Sequence, residues 1–132
     1  MMDRRLSQTL DKEERLCGKK DISRLLSKGR FASAGCLRYC CLRNNGADCD
    51  RIMVSVPKKL FRRAVKRNLL KRRIRESFRL QKAAITADDH MDIMFVYSSK
   101  EMLPFSDIFT GVGTAIADMN TQTGKRNAND RG

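Results

Sequence analysis

This 132-residue chain contains no tryptophan, one histidine and two prolines. The histidine, His90, stands alone, and no Ser-His-Asp pattern surrounds it, so no catalytic constellation of protein side chains is visible. No run approaches 18 apolar residues, which excludes a membrane-spanning helix. The first sixteen residues lack the apolar middle of a signal peptide, so a cytoplasmic protein is expected. The five cysteines are Cys17, Cys36, Cys40, Cys41 and Cys49. An odd count without an export signal argues against a disulfide framework. The C-x3-C-C-x7-C spacing is no pair of zinc knuckles, and within an apparent strand cysteine behaves as a small apolar residue, so no metal site is expected. Acidic residues are also scarce, at 15 against 28 Lys or Arg, leaving +13.

That positive excess is concentrated. Residues 58–79 read KKLFRRAVKRNLLKRRIRESFR, with eleven Lys or Arg and one acid, Glu76, for a local charge of +10. A clustered excess of this kind is the footprint of a polyanion binder, usually a nucleic acid. Leu70, Ile74 and Phe78 recur every four residues, and Gln81 and Ile85 extend the line, which is one stripe of an amphipathic helix. At about 100° per residue, Asn68, Arg72, Arg75 and Arg79 form a second stripe about a third of a turn away, with Lys71 at its border. Guanidinium forks match phosphate oxygens in planar, bidentate geometry. A solvated helix face normally mixes signs at i, i+4, and this one does not, so function must offset the self-repulsion.

The remaining elements follow from periodicity and turn signals. A first helix over 19–28 carries Ile22, Leu25 and Leu26 and stops at Gly29. Strands are expected at 36–42 and 51–56, joined through Asn44-Asn45-Gly46 as an antiparallel hairpin. An extended connector at 58–63 leads into the long helix at 64–85. Residues 92–97 (DIMFVY) form the most apolar short run and read as an inner strand. A last helix is expected at 105–119, although Gly111 and Gly113 weaken it. The chain reads as one α+β domain over 1–132, with flexible tails at 1–15 and 120–132.

The basic segment closely resembles the signature of the bacterial ribonuclease P protein family, A-V-x-R-N-R-x-K-R-x-x-R-E. Residues Ala64, Val65, Arg67, Asn68, Lys71, Arg72, Arg75 and Glu76 match its fixed positions, while Leu69 replaces the second arginine of the R-N-R core. The preceding Val56-Pro57-Lys58-Lys59 also resembles the family, but its usual connector glycine is missing around Phe61 and Arg62. The resemblance spans about residues 16–119. It implies an α-β-β-β-α-β-α sandwich with a left-handed βαβ crossover, the ribosomal protein S5 domain 2-like architecture. It also implies an accessory protein in an endonuclease that removes the 5′ leader from precursor tRNA, with catalysis by an RNA subunit.

On that resemblance, Lys58, Lys59, Arg67, Asn68, Lys71, Arg72, Arg75 and Arg79 contact the catalytic RNA. A cleft between sheet and first helix would take the leader, with Ile22, Leu26, Phe31 and Tyr39 as candidates. Phe31 and Tyr39 read equally well as ordinary core residues. The protein would hold no cofactor, with Mg2+ bound through the RNA subunit, and would need no membrane or obligate protein partner. Neutralised phosphates would lower the magnesium requirement. A structural RNA-binding protein, such as a ribosomal protein, is the alternative. A DNA-reading helix fits less well, because the polar face is nearly all arginine instead of mixed base-reading side chains.

Overall fold

The computed structural model describes the backbone of residues 12–129 and the side chains of residues 13–121. A 3-10 turn (Lys12–Glu14) precedes α1 (Lys19–Lys28), β1 (Arg30–Ala34), β2 (Leu37–Leu42), β3 (Arg51–Ser55), α2 (Ala64–Gln81), β4 (Asp92–Tyr97) and α3 (Phe105–Asn129). The four strands form one sheet in the order β1-β2-β4-β3. The architecture is a mixed α+β sandwich, in the α-β-β-β-α-β-α order that the resemblance implies.

The strand pairing corrects the expected hairpin. β2 and β3 do not touch, because β4 lies between them, antiparallel to β2 and parallel to β3. β4 is the most apolar run and buries Ile93, Phe95 and Tyr97 completely, so the centre of the sheet is where its burial is greatest. The true hairpin joins β1 to β2, pairing Ala34 with Leu37 across a two-residue turn. Gly35 takes φ 59° there, a left-handed setting that glycine adopts without strain. The Asn44–Gly46 turn signal instead serves a loop that crosses the end of β4, with the Asn45 N–H donating to the His90 carbonyl at 2.9 Å.

Strand alternation gives the sheet two unlike faces. One face, with Leu37, Tyr39 and Cys41 from β2 and Ile93, Phe95 and Tyr97 from β4, packs under α2 and α3. Leu70, Ile74 and Phe78 of α2 are fully buried there, as their spacing predicts. Gly111 and Gly113 do not break α3. A Cβ at Gly113 would meet Gln81 Oε1 at 2.7 Å, so the glycine permits close approach of α2. The other face carries a smaller cluster of Leu16, Leu25 and Cys40 beneath α1, flanked by Ile22, Leu42, Met53 and Met94.

The segments expected as flexible tails are partly structured. Residues 1–11 and 130–132 lie outside the described residues, but α3 continues to Asn129, ten residues beyond its expected end. At the other end, the Glu14 carboxylate accepts a 2.7 Å bond from Lys82 Nζ, and both groups are almost wholly buried. Leu16 is buried too, and its N–H donates to the Ile52 carbonyl at 2.7 Å, along the outer edge of β3.

Candidate nucleic-acid interface

The helix α2 owes its exposed charge to the crossover between β3 and β4. Its apolar stripe lies on the sheet, so the opposite stripes must face outward. Asn68 and Arg72 are exposed, and Lys71, Arg75 and Arg79 are partly so. The expected row is therefore a row in space. Among the described residues Lys71, Arg72 and Arg75 make no ion pair, which leaves their donors open to an anion. No acidic residue stands in the first turn of α2, so the positive end of the helix dipole adds to the field of Lys66 and Arg67.

Two members of the expected set are engaged within the protein. Arg79 donates through Nε at 3.0 Å and NH2 at 2.7 Å to Glu76, the only acid of the helix. This pair holds the Glu76 carboxyl below its ordinary range. Arg67 donates through NH1 to the Phe61 and Arg62 carbonyls at 2.8 and 2.7 Å. Leu69 is 37% exposed, so the residue replacing the motif arginine faces solvent beside the row.

Other cations join the surface through tertiary structure. Lys58, Lys59, Arg62 and Arg63 are all exposed on the connector, which is not extended throughout as expected but turns at 58–60, with Leu60 N–H donating to the Pro57 carbonyl at 3.1 Å. Residues 14–16 run along β3, which brings the charge of Arg15 within the field of Arg75. Burial, and then the Arg15 charge, push the Arg75 guanidinium below its ordinary pKa. Local pattern gave no signal for Arg15, which sits in a segment of mixed charge.

The second candidate surface is the part of the sheet that α1 leaves uncovered. Phe31 is 53% exposed, and Phe31, Arg38, Tyr39, Met94 and Val96 line a hollow there. Ile22 and Leu26 of α1 line a neighbouring shallow groove with Lys19. All four expected cleft residues thus line these hollows. Tyr39, however, offers no exposed ring to stack on. Its side chain is 1% exposed on the opposite face, and its hydroxyl lies 3.1 Å from Asp118 of α3. One residue of strand phase separates the faces, and Arg38, its neighbour, takes the open side.

Charges dock α1 above this cleft. Asp92, fully buried, accepts from Arg51 Nε at 2.8 Å and NH2 at 2.9 Å, and from Asn45 Nδ2 at 2.9 Å. Arg51 reaches on to Asp21 of α1 at 3.2 Å, and Arg24 lies 3.7 Å from Asp92. The hydrogen bond that Arg51 donates to Asp92 raises the Arg51 pKa. No group of three His, Cys, Asp or Glu among the described residues could hold a metal ion, and no helix among them is long and apolar enough to cross a membrane.

Residues 10–120 match the family model for ribonuclease P. The chain belongs to the ribonuclease P protein family. It is 35% identical over 100 residues to the ribonuclease P protein component of Porphyromonas gingivalis, covering 74% of this chain and 72% of that protein. The protein of a second strain of that organism is 34% identical over the same span. In three dimensions it is similar to the RNase P protein of Staphylococcus aureus, with a TM-score of 0.67 and 26% identity over 80% of this chain and 94% of that one. The RNase P protein from Thermotoga maritima shares the fold at a TM-score of 0.65 and 24% identity, covering 82% of this chain and 96% of that one. Membership of this family places the chain in tRNA processing.

Proposed function

We propose that this chain is the accessory protein of a ribonuclease P holoenzyme in which an RNA subunit cleaves the 5′ leader from precursor tRNA. The observation that carries this reading is the open row Asn68, Lys71, Arg72 and Arg75 on a helix whose other face is locked into the core. A rigid row meets the phosphates of a structured RNA without first being ordered, and A-form RNA is recognised through backbone and shape. The cleft under α1 takes the unpaired leader, with Phe31 as the stacking ring and Arg38 as its phosphate partner.

The protein acts through charge. Neutralised phosphates lower repulsion between the catalytic RNA and its RNA substrate, which reduces the Mg2+ needed to join them. Magnesium is held by the RNA subunit, and the protein binds no cofactor. The complex works in the cytoplasm and requires no further protein. The test is precursor-tRNA cleavage by a bacterial ribonuclease P RNA at low Mg2+, with and without this chain. Strong stimulation, lost on Arg72→Ala plus Arg75→Ala, is expected. RNA binding without stimulation would reduce the chain to a structural RNA-binding protein that shares the family fold.

A further inference from the structure

The connector between β3 and α2 is built as a rigid piece. The Pro57 carbonyl accepts from the N–H groups of Leu60 and Phe61 at 3.1 and 3.4 Å. Phe61 is 7% exposed and sets its ring 5.9 Å from that of Tyr97, which anchors the middle of the connector in the core. Its end is then closed by Arg67, whose NH1 donates to the consecutive carbonyls of Phe61 and Arg62. The Arg67 N–H meanwhile makes the first helical bond, to Arg63 at 3.2 Å. Both carbonyls lie ahead of the helix, so its i→i−4 ladder does not reach them.

The connector displays four exposed cations, Lys58, Lys59, Arg62 and Arg63, and among the described residues none of them is in an ion pair. On a slack loop each would lose side-chain and backbone freedom on meeting RNA. A clasp that fixes the backbone removes that loss in advance. We propose that Arg67 is a positioning residue: it clasps the connector so that Lys58, Lys59 and Arg62 meet the catalytic RNA as one preformed basic patch. This rests on the RNA-binding reading above and reassigns one residue of its motif.

The experiment is a double-mutant cycle on the full chain, read as binding to a bacterial ribonuclease P RNA transcript across a salt series. Its members are the wild type, Arg67→Ala, the connector variant Lys58→Ala/Lys59→Ala/Arg62→Ala, and the two combined. Alone, Arg67→Ala is expected to weaken binding about tenfold and to flatten the salt dependence by about two charges, more than its own one. In the connector variant the same change is expected to cost less than about twofold. Melting by circular dichroism checks the fold, and if Arg67→Ala does not fold, Arg67→Gln carries the same cycle.

Equal losses in both backgrounds, with a slope change of one charge, would overturn the proposal and make Arg67 a direct phosphate ligand. So would binding that ignores every connector and Arg67 variant yet falls on Arg72→Ala/Arg75→Ala, a result that leaves the functional reading standing. A wild-type chain that binds the transcript no better than duplex DNA of equal length would overturn both.

Discussion

The two faces of the sheet are stabilised by different physics. Under α2 and α3 lies a closed apolar core in which Leu37, Phe78, Phe95 and Val112 have no exposed surface. Under α1 the apolar cluster is small, and ion pairs among Asp92, Arg51, Asp21 and Arg24 join Leu25 in tying the helix to the sheet. The first face fixes the fold and turns the basic row of α2 outward. The second leaves Phe31, Arg38, Met94 and Val96 uncovered. A buried ion pair is a poor source of net stability but a directional one, because an orphaned charge is costly. A charged clamp can therefore set where α1 sits without covering the sheet, which an apolar seam of equal strength would tend to do.

The contrast can be broken from either side. The largest expected effect is on the closed face: Phe95→Ala should lower unfolding free energy by about 4 kcal/mol in a urea titration. On the charged face, Asp92→Asn keeps the shape but strands Arg51, and a loss of about 3 kcal/mol is expected by the same measurement. Its further signature is weaker leader-dependent binding, because α1 loses its anchor. An effect on stability alone would mean that the clamp does not set the cleft.

Smaller effects separate the surfaces from the scaffold. Phe31→Ala should leave stability within about 0.5 kcal/mol. Comparing precursor tRNA with and without its leader, it should lower leader-dependent affinity about fivefold or more, as the loss of one stacking ring does. Leu69→Arg should steepen the salt dependence of RNA binding by about one charge, and an unchanged slope would show that this position points away from RNA.

The smallest effect is alkaline and belongs to the core. Burial pushes the Cys41 thiol up to about 12 from an ordinary 9.0. The folded chain then keeps this proton to higher pH than the unfolded chain. The contribution is intact below pH 9 and is lost as pH rises from there toward about 12. Cys41→Ala should make the fall in stability between about pH 9 and 10 shallower.

Much of the interface was legible in the chain because a helix is a local object. Its period is set by its own hydrogen bonds, so the spacing of Leu70, Ile74 and Phe78 also located Asn68, Arg72 and Arg75 on another side. The motif resemblance then supplied the task. Strand partnership is a different kind of quantity. Residues 36–42 and 51–56 looked like a hairpin because a turn signal lay between them, but the strand that separates them is some 40 residues further along. Tyr39 and Arg38 differ by one position and fall on opposite faces, which no pattern of single residues settles without the register.

Composition and spacing by themselves determined that one basic helix carries a row of cationic side chains on a face turned away from the core. Tertiary structure alone decided which cations are open and which are engaged. Arg67 closes the connector, Arg79 holds Glu76, and the charge of Arg15 comes within the field of Arg75 from the other end of the domain. The reason is the range of the forces. Helical periodicity is enforced within four residues, whereas the neighbours of a charge are set by chain segments that meet only when the core has closed.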